Sequence, residues 1–189
     1  MDGWWAASYV VLWIVVIVLG VVVVALARQI GTLHLRLGPT GALEMDDEGP
    51  PIGEPPEAVE AATMEGEPVI VGGPGENRML LFVSPGCMVC KQVLPSIHAV
   101  SGDMAAYVIT DVDREESRLA FATEHIRASV IPGEEVFTAY DVPGTPYVIV
   151  LDRLGVVQAK GTVNNLEQME GLIDTARRRI RDANREHVG

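Results

Sequence analysis

The chain has 189 residues, enough for one domain of ordinary size with attachments and too few for a large multidomain enzyme. Its 48% apolar and 21% charged residues are those of a folded protein, and its formal charge of −12 argues against nucleic-acid binding driven by phosphate contacts. Two cysteines cannot build a disulfide scaffold or a four-thiolate zinc site, but they can make one reactive pair.

From Trp4 to Ala27 there are 24 residues without a charge, and all three tryptophans (Trp4, Trp5, Trp13) lie there. As a helix this run is about 36 Å long, enough for a hydrocarbon core of about 30 Å with some tilt. The Trp pair suits the membrane–water interface. Ala25-Leu26-Ala27 resembles a signal-peptidase site, but the apolar run is too long for a secretory signal and only Asp2 precedes it. The segment is read as an uncleaved membrane anchor.

Next comes a juxtamembrane stretch with Arg28 and Arg36, expected to be helical up to Gly38-Pro39. Residues 44–67 carry nine carboxylates and no Lys or Arg, interleaved with Pro50, Pro51, Pro55 and Pro56. Such a stretch repels itself and favours extended backbone, so most of it reads as a spacer. Residues 68–189 hold 16 acids and 12 bases, so the acidity of the chain belongs mainly to the spacer.

Beyond the spacer, strands and helices alternate. Pro68–Gly72 is a short strand candidate, and Met79–Val83 (MLLFV) is a continuous apolar run expected of a strand buried on both faces. Ser84-Pro85-Gly86 breaks it, and residues 87–100 continue as a helix with Val89, Val93, Leu94, Ile97 and Val100 on one side. Ala106–Thr110 reads as a strand, Glu115–His125 as a polar-faced helix and Tyr147–Leu151 as another buried strand. A turn at residues 152–155 leads to a hairpin partner at Val156–Lys160. The last helix starts near Asn164 or Asn165, and Leu166, Met169, Leu172, Ile173, Ala176 and Ile180 form its apolar face. Arg177, Arg178, Arg179, Arg181 and Arg185 crowd its end and are read as a solvated helix terminus, where cations suit the dipole.

The strongest chemical signal is Cys87-Met88-Val89-Cys90, placed after a buried strand and a Pro-Gly turn, at a helix start. Cysteines three apart at a helix start can form a disulfide with little backbone movement. Unsatisfied N–H groups there favour a thiolate on the first, so Cys87 is the expected nucleophile and Cys90 the resolving residue. Zinc would need two further ligands from His34, His98, His125 and His187, none of which forms a ligand-spaced pair. His98 and His125 read as helix-surface residues. A structural disulfide without turnover stays open as an alternative.

The second signal is Val142-Pro143-Gly144-Thr145-Pro146, directly before the buried strand. A proline is badly placed at the start of a central strand unless its peptide is special. A cis Thr145–Pro146 bond would turn the chain and leave the Thr145 backbone to pair with an extended substrate.

Together, Cys87–Cys90, Thr145-Pro146 and the order of elements resemble the thioredoxin-like fold over roughly residues 50–186. ALARQIGTLHLRLGPTGAL, FVSPGCMVCKQVLP and PYVIVLD followed by VVQAKGTVNN resemble the MauD proteins, accessory factors for maturation of methylamine dehydrogenase. The resemblance implies an α/β thioredoxin-like fold, a mixed central sheet flanked by helices, preceded by one transmembrane helix. It implies a membrane-tethered thiol–disulfide oxidoreductase that makes or corrects disulfides in the small subunit of methylamine dehydrogenase. Cys87 and Cys90 would be catalytic, and Thr145 and Pro146 would bind substrate. No organic cofactor or metal is implied beyond the Cys87–Cys90 disulfide, and electrons pass to or from another membrane or envelope thiol protein.

The chain then divides into an anchor (residues 4–27), a juxtamembrane segment and spacer (28–67, with room at its end for the first strand) and the domain (68–186). It departs from the family patterns at four points. Met88 stands where MauD-type motifs have proline, and Val89 where thioredoxins have proline. Gly86 replaces the thioredoxin tryptophan, and Leu81 its buried aspartate. A peroxiredoxin-like peroxidase remains an alternative, since Ser84–Cys87 fits S-x-x-C, although Leu80 stands where its proline belongs. A non-catalytic binding module using the same groove is another. The two arginines after the anchor favour a cytoplasmic domain by charge, whereas the resemblance and the chemistry favour the outer face, which is the expected side.

Overall fold

The computed structural model describes residues 3–36, 48–122, 126 and 128–186. The chain divides into two units, residues 1–40 and 41–189. The first unit holds one helix, α1 (Gly3–Arg36), in which Gly3–Val22 is long and apolar enough to cross a membrane. Its described large apolar side chains, Trp4 to Val22, are exposed, and Tyr9 packs edge-on to Trp13 at 6.3 Å. The helix stop expected at Gly38-Pro39 lies outside the described residues.

The second unit begins with an antiparallel hairpin, β1 (Val59–Ala62) and β2 (Pro68–Val71). Its central sheet has five strands: β3 (Arg78–Val83), β4 (Ala105–Thr110), β5 (Ser129–Pro132), β6 (Tyr147–Leu151) and β7 (Val157–Thr162). They lie in the order β5-β4-β3-β6-β7. β3, β4 and β5 are parallel, and β6 is antiparallel to both β3 and β7. This is the mixed sheet flanked by helices that the resemblance implies.

The central place of β3 explains its unbroken apolar run. Met79, Leu81 and Val83 join one core cluster, while Leu80 and Phe82 join the other on the opposite face. The first cluster takes Val93, Leu94, Ile97 and Val100 from α2 (Met88–Val93), a 3-10 turn (Leu94–Ser96) and α3 (Ile97–Ser101). It also takes Met169, Leu172, Ile173 and Ala176 from α6 (Leu166–Glu186), after α4 (Arg114–Ala120) and α5 (Glu135–Ala139) in the chain. α6 is capped by Asn165, which accepts from the Gln168 N–H at 2.9 Å, while the Gln168 side chain accepts from the Asn164 N–H at 2.7 Å.

Three sequence expectations change. Residues 126–142 had no assigned element, and the structure places β5 and α5 there. Five residues are too few for a stable helix on propensity alone. Burial of Val136 and Tyr140 holds α5, at ~1.5–3 kcal/mol for a well-buried side chain of this size. The helix expected at 115–125 ends at Ala120, and residues 123–125, His125 among them, lie outside the described residues. The arginine-rich end of α6 is only partly a solvated terminus. Arg177 donates to the carbonyls of Val100 and Ser101 at 3.2 and 3.3 Å, and Arg179 to that of Gln158 at 2.7 Å.

The described part of the acidic spacer is also folded. Lys160, fully buried on β7, donates through Nζ to the Glu48 carbonyl at 2.7 Å, and the Tyr147 hydroxyl donates to the same oxygen at 3.0 Å. The Gly53 N–H donates to the Val157 carbonyl at 2.9 Å, and the Val157 N–H to the Glu54 carbonyl at 3.1 Å. These contacts run through backbone carbonyls and N–H groups, so a composition rich in acids and prolines does not reveal them. Lys160→Met keeps most of the buried stem and removes the donor. It is expected to cost ~1–3 kcal/mol in denaturant unfolding and to speed glutamyl-endopeptidase cleavage after Glu48. Unchanged cleavage would show that other contacts hold the segment.

Tyr140 supplies a pH dependence. Its hydroxyl is buried and has no hydrogen-bond partner among the described residues. Burial pushes the phenol well above its ordinary value of 10.0, and the nearby Arg78 guanidinium pulls it only part of the way back. A raised value means that the fold prefers the neutral phenol, so this contribution is complete below pH 10.0 and is lost as pH rises beyond it. Tyr140→Phe removes an unsatisfied buried group and is expected to leave stability at pH 7 within about 1 kcal/mol of the parent. Above pH 10 the variant should lose less stability than the parent; equal losses in the two would count against this assignment.

Candidate active site

β3 carries the chain to the edge of the sheet, where Ser84-Pro85-Gly86 turns it into α2. The Cys87 N–H closes that turn on the Ser84 carbonyl at 3.0 Å. Cys87 itself is the N-cap of α2, with extended backbone (φ −81°, ψ 113°), and its Sγ accepts from the Cys90 N–H at 3.1 Å. A sulfur thus occupies the place usually taken by a capping oxygen. α2 breaks after one and a half turns because Pro95 has no N–H to continue the ladder, and a 3-10 turn carries the chain into α3.

Cys87 and Cys90 are joined in a disulfide, with their Cα atoms 5.2 Å apart. The two sulfurs have unequal surroundings. Cys87 is half-buried at the surface, whereas Cys90 is 3% exposed and belongs to the first core cluster. That cluster draws apolar side chains from β3, β4, β6, β7, α2, α3 and α6. Leu81, in the position of the thioredoxin acid, is fully buried within it.

The second motif meets the first across the sheet. Phe82 of β3 pairs with Tyr147 of β6, so the residues just before Tyr147 lie beside the turn that follows β3. The Thr145–Pro146 peptide is cis, Pro146 is buried, and its carbonyl accepts from the Val163 N–H at 3.1 Å. The Thr145 carbonyl lies 3.7 Å from Cys87 Sγ, joining residues 58 apart in sequence. All four residues singled out in the sequence, Cys87, Cys90, Thr145 and Pro146, therefore converge on one spot.

Neither Ser84–Cys90 nor Val142–Pro146 contains a charged side chain. Among the described residues no group of three or more His, Cys, Asp or Glu is placed to hold a metal ion. His98 is exposed on α3, as expected. Two features of the site were not read from sequence: the Cys90 N–H aimed at Cys87, and the exposure of Met88. The first follows from cap geometry and was foreshadowed by the helix-start position of Cys87. The second had no signal beyond the departure from the family motif.

No protein-family model matches the chain. It is 38% identical over 187 residues to the methylamine utilization protein MauD of Methylobacillus flagellatus, covering 93% of this chain and 88% of that one. The chain belongs to the MauD family. The MauD of Methylophilus methylotrophus is 34% identical over 182 residues, covering 93% and 86% of the two chains. Among solved structures, the thioredoxin domain of a thiol-disulfide oxidoreductase from Bacteroides vulgatus superposes with a TM-score of 0.55 at 17% identity, covering 66% of this chain and 97% of that one. A peroxiredoxin-like protein from Aquifex aeolicus gives 0.57 at 15% identity, covering 69% and 88%. The fold of this MauD-family chain is thioredoxin-like.

Chemically, the arrangement presents one sulfur at the surface and a second behind it, bonded to it and within one helical turn. Such a pair can be opened by an incoming thiolate at the exposed sulfur, and the buried sulfur is then in place to close it again.

Proposed function

We propose that this chain is a membrane-tethered thiol–disulfide oxidoreductase that acts on protein disulfides through Cys87 and Cys90. The observation that carries the reading is the half-exposed Cys87, backed by the buried Cys90 and faced by the Thr145 carbonyl at 3.7 Å. In the oxidising direction a substrate thiolate attacks Cys87 Sγ, the Cys87–Cys90 bond breaks, and Cys90 leaves as the thiolate. A second substrate thiolate then attacks its own sulfur in the mixed disulfide and expels Cys87. The substrate gains a disulfide, and two electrons stay on the cysteine pair. The reverse sequence reduces a substrate disulfide, with Cys87 attacking and Cys90 resolving. In either direction an envelope thiol protein restores the pair. The Thr145–Pro146 backbone aligns the substrate segment beside Cys87.

The resemblance to MauD proteins supports maturation of methylamine dehydrogenase as the setting, with the enzyme's small subunit as substrate, and the relatives' names speak of methylamine utilization. α1 serves as a single-pass anchor with the domain on the outer face, where cytosolic reductants do not oppose disulfide formation. Fusing alkaline phosphatase after residue 189 tests this side, because that reporter needs its own disulfides. An active fusion is expected; a stable but inactive one would place the domain in the cytoplasm.

The chemistry is tested on the reduced full-length chain. The Cys90 N–H directed at Cys87 Sγ stabilises a thiolate there, so Cys87 is expected to react with iodoacetamide at pH 6 much faster than free cysteine does. Cys90→Ser should trap protein partners as mixed disulfides through Cys87. Alkylation at the rate of an ordinary thiol, with no trapped partner, would point to a structural disulfide. Peroxide consumption that survives Cys90→Ser and vanishes in Cys87→Ser would point to a peroxidase.

A further inference from the structure

Met88 has no part in the exchange as described, yet its placement is unusual. It follows Cys87 as the first residue of α2 and is 72% exposed, with Leu119 among the most exposed large apolar residues described in the folded unit. Packing does not explain that exposure. The surface on either side of Cys87 is open: a Cβ built at Gly86 or Gly144 would meet nothing within 4 Å. Pro143 is exposed and Val142 half-buried, so the two loops that meet at Cys87 present uncharged residues and room for a polypeptide backbone, with charges resuming at Lys91 and Asp141.

We propose that Met88 is a specificity-determining residue that covers the substrate residue next to the attacked cysteine and selects an aromatic or large aliphatic side chain there. The inference rests on the redox reading and names the substrate class of that same site: an extended polypeptide segment in which a cysteine adjoins a large apolar residue. A methionine suits this work because its unbranched side chain adapts to different shapes and its sulfur makes favourable contacts with aromatic rings. The lack of charge along Ser84–Cys90 and Val142–Pro146 leaves nothing to reward a charged neighbour of the substrate cysteine, which would be desolvated without a partner. The open floor at Gly86 and Gly144 admits the backbone on both sides of that cysteine.

The test uses the reduced full-length chain in detergent and peptide disulfides that differ only in the residue after the cysteine: Phe, Leu, Ser or Glu. Exchange is expected to be about 5-fold faster with Phe than with Ser, with Leu near Phe and Glu slowest. Met88→Ser should bring the Phe-to-Ser ratio to about 1, and Met88→Leu should retain the Leu preference while reducing that for Phe. Exchange with the small uncharged 2-hydroxyethyl disulfide should be unchanged in both variants. A ratio that persists in Met88→Ser, or a parent without any preference, overturns the role of Met88. Equal slowing of all substrates, the small disulfide included, also overturns it, by showing that Met88 acts on Cys87 itself. A parent chain that exchanges with none of these disulfides overturns the redox reading, and this inference falls with it.

Discussion

The site depends on the antiparallel register between β3 and β6. Pairing of Phe82 with Tyr147, continued back to Arg78 with Leu151, sets the end of one strand against the beginning of the other. The loop that follows β3, bearing Cys87, and the loop that precedes β6, bearing Thr145-Pro146, then lie at the same end of the sheet. A slip of one residue would move every side chain of β6 to the opposite face. Val148 and Val150 would leave the cluster that holds Cys90, and Tyr147, Ile149 and Leu151 would leave the other. Burial on both faces therefore specifies the register, and the register brings together two motifs 58 residues apart.

The two faces of the sheet do different work. On one, α2, α3 and α6 enclose Cys90 in hydrocarbon, and Arg177 ties α6 to the end of α3. The helical segment that follows the redox pair is thus fixed at its far end by a residue distant in sequence. On the other face lie α5 and the β1–β2 hairpin, while Lys160 and Tyr147 hold the Glu48 carbonyl. A buried lysine is a demanding choice for a core, and its position on β7 gives residues 48–54 a fixed attachment. Backbone pairing of Val157 with Gly53 and Glu54 occupies part of the outer edge of β7, which limits strand addition there.

Much of this was legible in the sequence. The buried strands MLLFV and YVIVL are continuous apolar runs because they lie at or near the centre of the sheet, and α6 repeats its apolar residues with helical period. The redox pair and Thr145-Pro146 were found because each breaks a local rule: cysteines otherwise absent from the chain, and a proline opening a central strand. Elements that depend on tertiary contacts were hidden. β5 is four residues long and ends in Pro132, and α5 is five residues long, so neither shows a period. Glu48 and Gly53 are attached through their own main-chain atoms, whatever their side chains. An acidic, proline-rich composition says nothing of where the carbonyls of residues 48–54 go.

The apolar packing of Cys90 has a consequence for the proposed exchange. Leu81, fully buried, stands in the position of the thioredoxin acid and offers Cys90 neither a proton acceptor nor a counter-charge. Charge developing on Cys87 is met by the Cys90 N–H at 3.1 Å and by solvent; charge developing on Cys90 is met by hydrocarbon. The disulfide is neutral and sits in this cluster without an electrostatic cost, whereas an opened pair favours its negative charge on the outer sulfur. The inequality follows from cap geometry and core packing rather than from a catalytic side chain. In the proposed exchange it directs both the nucleophilic role and the exchange of protons with water toward Cys87, where the chain leaves the surface open.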